Sequence, residues 1–111
     1  MNKKNIITRT IRKSLTEFPE DPYDINCGQC EDFALHVINQ LGGEGDDLYM
    51  VWLDDIEHYS NFSHAVIRWD SGDGFIYFDS ECPEGTDNLD RLPLVANTGR
   101  LRKEVLAERS Q

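Results

Sequence analysis

The chain has 111 residues, one ordinary domain's length, and its 39% hydrophobic and 29% charged composition fits a folded core rather than disorder. With 21 Asp and Glu against 11 Lys and Arg the net charge is −10, which argues against nucleic acid and anionic membrane as partners and suits a basic one. No apolar run approaches the roughly 20 residues that span a bilayer. Thr8, Arg9, Thr10 and Arg12 break up any apolar signal core at the start, so the expected compartment is the cytoplasm.

Ile7, Ile11, Leu15 and Phe18 recur at helical spacing and predict a first helix over 4–17, closed by Pro19 and Pro22. Residues 20–24 read as a loop. A second helix opens at Gly28-Gln29-Cys30-Glu31 and runs to about Leu41. Its apolar face is Phe33, Ala34, Val37, Ile38 and Leu41, and Gly42-Gly43 ends it. The period then shortens to two. Leu48–Leu53, Ser63–Trp69 and Gly74–Asp79 are predicted strands, with a further strand near Leu92–Ala96 and a terminal helix over Arg100–Glu108. Asp54, Asp55, Ile56 and Glu57 read as a solvated loop, and Trp52 and Trp69 as core aromatics. Helices first and strands afterwards predict a single α+β domain over 1–111, its N-terminal helices packed on an antiparallel sheet.

Ser71-Gly72 makes an acceptable two-residue hairpin loop, which would pair Asp70 with Asp73, Val66 with Tyr77 and His64 with Asp79. A slip of one residue would send His64 and Asp79 to opposite faces. Asp70 to Gly74 also carries a superficial likeness to a calcium loop. Phe75 stands where such a loop needs glycine, so a turn is expected there.

The chemistry centres on Cys30. With Gly28 as N-cap, Cys30 would be the second residue of its helix, where the helix dipole favours thiolate and a free backbone N–H faces any developing oxyanion. His64 is the candidate proton acceptor and donor, and Asp79 the group that orients it. Two other uses of the cysteines stand beside this one. Cys27, Cys30, His64 and Cys82 would supply a Cys₃His zinc set, although His64 and Cys82 lie too far apart in sequence for the usual tight second pair. Cys27-Gly28-Gln29-Cys30 has the spacing of a redox dithiol, but no apolar strand precedes it. His36 falls on another helix face from Cys30 and His58 reads as a surface histidine.

Three segments carry a family resemblance. Gly28-Gln29-Cys30-Glu31-Asp32-Phe33-Ala34 resembles the nucleophile helix of the transglutaminase-like branch of the papain-like cysteine peptidase superfamily. His64-Ala65-Val66-Ile67-Arg68-Trp69 is similar to its histidine strand, and Phe78-Asp79-Ser80-Glu81-Cys82-Pro83-Glu84 to its acidic strand end. The likeness covers about 26–85. It implies a minimal papain-like core and a Cys30–His64–Asp79 triad that works through a thioester without metal or organic cofactor. The substrate would be an amide of a protein or peptide, with water or an amine as acceptor. No upstream glutamine or tryptophan stands at an obvious second oxyanion position, which leaves Asn26 and Gln29 as the nearest substitutes. Glu31, Asp32 and Glu81 surround the site with negative charge, so a thiolate there requires a cationic His64. The same triad in a closed groove would leave a catalytically inactive binding module.

Overall fold

A computed structural model describes residues 2–55, 63–98 and 101–106, with side chains over 2–53 and 63–96. α1 (Lys3–Leu15) begins where Asn2 accepts the Asn5 N–H at 2.8 Å, and it buries Ile7, Ile11 and Ser14 on one stripe. Asp21 caps the next helix by accepting the Asp24 N–H at 2.9 Å, with Pro22 as its first residue. This is α2 (Pro22–Gly28), and it corrects the loop expected at 20–24. Pro22 does not close α1, which already stops at Leu15; it opens α2, because proline's missing N–H costs nothing at a first helical position.

α3 (Cys30–Gln40) follows at once. Gln29 is both the C-cap of α2 and the N-cap of α3. The expected order with Gly28 as N-cap is therefore shifted by one: Gly28 ends α2 and Cys30 is the first residue of α3. Gly42 and Gly43, both at positive φ, end the α3 segment as expected.

Among the described residues, five antiparallel strands form one sheet in the order β4-β3-β2-β1-β5. They are β1 (Leu48–Asp55), β2 (Ser63–Asp70), β3 (Phe75–Asp79), β4 (Cys82–Thr86) and β5 (Leu101–Leu106). Asp54 and Asp55 thus extend β1 rather than starting a loop, while Ile56, Glu57 and His58 lie outside the described residues. Two expectations fail at the C-terminal side. The strand near Leu92–Ala96 is instead a 3₁₀ turn at Leu89–Arg91 and then α4 (Pro93–Thr98), a short apolar run whose periodicity fits either state. Of the helix expected over Arg100–Glu108, the described residues Leu101–Leu106 form β5 instead, because the open edge of β1 offers a ladder that overrides local preference, while Arg100, Ala107 and Glu108 lie outside the described residues.

The β2–β3 hairpin closes at Asp70↔Phe75 around four residues, not at Asp70↔Asp73 around two. Gly74 O accepts both the backbone N–H and the Oγ of Ser71 at 2.9 Å, and Asp70 takes the Gly72 N–H at 3.0 Å, so the segment is a turn. The longer loop avoids facing Asp70 with Asp73. Pairing moves by two positions, to Ile67↔Phe78 and Arg68↔Tyr77, so Val66 does not face Tyr77 and His64 does not face Asp79 directly. A two-residue shift preserves side-chain alternation, and His64 and Asp79 still share a face.

Two apolar clusters flank the sheet. α1, α2 and α3 cover one face through Ile7, Ile11, Ile25, Phe33, Val37 and Ile38, with Trp52 and Trp69 packed at its margin as expected. On the other face Leu92, Leu94 and Val95 meet Val51, Leu53 and Val66. No helix of the described residues is long and apolar enough to cross a membrane.

Candidate active site

The site lies where β2 and β3 part. Their ladder ends at Ile67↔Phe78; beyond it the Ala65 N–H donates to Cys30 Sγ at 3.4 Å instead of to a strand. The sulfur is thereby docked onto β2 from the first residue of α3. The N–H groups of that first turn have no carbonyl of their own helix to bond, and the Glu31 N–H is turned toward the sulfur.

His64 is wholly buried, and its Nε2 stands 2.9 Å from Oδ2 of Asp79, itself 3% exposed. Asp79 Oδ1 accepts the Glu81 N–H at 2.9 Å, so both carboxylate oxygens are engaged and the imidazole edge is fixed. The other ring nitrogen, Nδ1, is buried without a hydrogen-bond partner among the described residues, on a ring close enough to Cys30 for each group to shift the other's titration. Burial works against the imidazolium, but the Asp79 hydrogen bond, Cys30 and the Asp79 charge outweigh it and push His64 up to about 9. Burial likewise opposes the Cys30 thiolate; His64 together with the N–H groups of Ala65 and Glu31 overcomes it and holds the thiol below its ordinary value. Both shifts favour an imidazolium–thiolate pair.

The other sequence candidates fall elsewhere. Asn26, 2% exposed, donates from Nδ2 to Glu81 Oε1 at 2.8 Å while its Oδ1 lies 2.6 Å from Ser80 Oγ, so both ends of the amide serve the β3–β4 turn. Gln29 donates from Nε2 to Glu20 Oε2 at 2.6 Å. Neither amide is left without a protein partner. Sequence reasoning missed the Ser80–Asn26 contact because it spans 54 residues, a separation no local pattern signals.

The four proposed zinc donors have divergent surroundings. Cys27 is exposed on α2 beside Tyr23, whose hydroxyl it raises; Cys82 is buried in the cluster beneath α4; and His64 Nε2 belongs to Asp79. Among the described residues no three His, Cys, Asp or Glu side chains are grouped as a metal site needs. His36 is taken by Glu17 at 3.4 Å, away from Cys30 as expected. The chain matches no protein-family model, no curated protein and no solved structure.

Proposed function

We propose that the chain is a cysteine-nucleophile acyl-transfer enzyme with a papain-like core of the transglutaminase-like kind. The observation that carries this reading is the placement of a buried imidazole between a helix-start thiol and a carboxylate, with its second nitrogen free of other partners. Cys30 is the nucleophile, His64 the acid and base, and Asp79 the group that orients the ring and stabilises its charge.

In the proposed reaction the Cys30 thiolate adds to the carbonyl carbon of an amide, forming a C–S bond and a tetrahedral oxyanion. In this reading the Cys30 backbone N–H at the helix start is the donor to that oxygen. The C–N bond then breaks, with the His64 proton passing to the departing nitrogen, and an amine and a thioester remain. Neutral His64 next takes a proton from water as the water oxygen attacks the thioester. Collapse breaks the C–S bond and releases the acid and the Cys30 thiolate, while His64 keeps the proton taken from water, which restores the pair. Water is the acceptor in this reading because no amine subsite is defined among the described residues. Exposed Glu31 and Asp32 beside the nucleophile favour a peptide with Lys or Arg near the reacting amide.

The test is the pH profile of iodoacetamide alkylation, mapped to each cysteine by mass spectrometry. One thiol should react fast below pH 7. The fast phase should be absent in Cys30→Ser and slowed in His64→Ala. A Cys30 that reacts no faster than Cys82 at every pH overturns the assignment.

A further inference from the structure

The two segments that bring the triad together are tied by a buried polar clasp. Asp79 begins a two-residue turn, Ser80-Glu81, that returns the chain into β4. On the helical side, Gln29 N–H bonds Ile25 O at 2.7 Å and Phe33 N–H bonds Gln29 O at 2.9 Å, so α2 runs into α3 with no intervening loop. Asn26 is therefore one turn from Cys30 on a stiff element. Its side chain reaches across to the turn that carries Asp79.

The hydrogen-bond chemistry fixes the orientation of that amide. A carboxylate only accepts, so the atom 2.8 Å from Glu81 Oε1 is Nδ2, which leaves Oδ1 for the Ser80 hydroxyl. Ser80, 1% exposed, has one proton and two acceptors at 2.6 Å, Asn26 Oδ1 and Pro22 O, and both belong to α2. Glu81 completes the circuit: its carboxylate is held by Asn26 and its own N–H holds Asp79 Oδ1, leaving Oδ2 for His64. The contacts run from Asn26 through Glu81 and Asp79 to His64, and the His64 ring meets Cys30 at the start of the helix that follows Asn26.

We infer that Asn26 is a positioning residue, which through Glu81 and Ser80 fixes the Asp79 carboxylate on His64 relative to the Cys30 thiol. This rests on the triad reading above but assigns Asn26 a different task from that of an oxyanion donor. Without the amide the Ser80-Glu81 turn loses its anchor on α2, the Asp79 carboxylate is free to rotate off Nε2, and the imidazolium that sustains the thiolate loses its partner. The titratable groups facing the imidazole among the described residues are Asp79 from β3 and Cys30 from α3; Glu81 faces Asn26 and the Tyr23 hydroxyl of α2.

Charge and position predict opposite results for one substitution, which makes the test decisive. Glu81→Ala removes a negative charge near the site and leaves its backbone N–H in place. If charge alone mattered, the Cys30 thiol would ionise at lower pH. Loss of the clasp instead moves the thiolate limb of the Cys30 alkylation profile to higher pH and slows the reaction at pH 6 by about tenfold. Asn26→Ala, neutral for neutral, should do the same. Asn26→Asp opposes two carboxylates and should slow Cys30 further, whereas Asn26→Asp combined with Glu81→Gln again pairs an amide donor with a carboxylate and should restore the profile. Profiles of folded Asn26→Ala and Glu81→Ala that overlay wild type, with only the unfolding temperature lowered, overturn the positioning role. A wild-type Cys30 without any low-pH thiolate overturns the triad itself, whatever the Asn26 variants do.

Discussion

On the face of the sheet covered by α1 and α3, Leu48, Met50, Ala65, Ile67 and Phe78 meet a cluster of mainly aliphatic and aromatic side chains. On the opposite face His64, Val66 and Arg68 alternate along β2, and Tyr77 and Asp79 along β3, so charged groups are buried among apolar ones. Arg68 there donates to Tyr49 Oη from Nε at 3.0 Å and also from Nη2, and its guanidinium stands 4.0 Å over the Phe75 ring. Burying such groups is costly unless each finds a partner. The apolar face stabilises by area and has no directional demand. The polar face is specified by geometry, and the ring nitrogen it leaves open, His64 Nδ1, is on the ring that meets the thiol.

If the two faces divide stability from chemistry in this way, substitutions on them should give crossed results. Ile11→Ala opens a void in the fully buried stripe of α1 and should cost about 2–4 kcal/mol in urea unfolding. The Cys30 alkylation rate of the folded protein should not change. His64→Gln should slow Cys30 at pH 7 by about tenfold, since the thiol returns toward its ordinary ionisation. A single variant that moves both readouts equally would show that the faces are not separate. A smaller effect is expected at Gly85, where φ is +79° and an added Cβ would lie 2.6 Å from Phe78 Cε2 and 2.8 Å from Ile76 Cγ2. Gly85→Ala combines backbone strain with overpacking and should cost about 1–3 kcal/mol, read from the same urea curves.

The apolar face is also the one the sequence displays. Ile7 and Ile11 repeat at helical spacing, the alternation in β1, β2 and β3 is plain, and Trp52 and Trp69 sit where their chemistry puts them. The polar face is legible in its residues but not in its register. His64 and Asp79 share one face in both the expected pairing and the observed one two positions away, because side-chain alternation repeats every second residue. β4 gave no signal, since Pro83 and Gly85 interrupt any strand pattern. Pro22 reads either way, because proline ends one helix as readily as it begins another. The Asn26 clasp was invisible for a different reason: the amide acquires its partners only when α2 meets the β3–β4 turn.

The mildest expected effect is a difference in slope, and it isolates the contact between the two faces. His64 is raised to about 9 from 6.5, so the stability it contributes is complete below about pH 6.5 and is lost as pH rises through about 9. Cys30 is lowered from 9.0, so its contribution is complete above pH 9 and is lost as pH falls through its depressed value. Between neutrality and pH 9 the two changes oppose each other, and the wild-type urea midpoint should vary little. Cys30→Ser removes the compensating group while Asp79 keeps the imidazole charged, so its midpoint should decline steadily with pH over the same range. Parallel wild-type and Cys30→Ser curves would mean that the sulfur and the imidazole ionise independently, and that the site joins the helices to the polar face by packing alone.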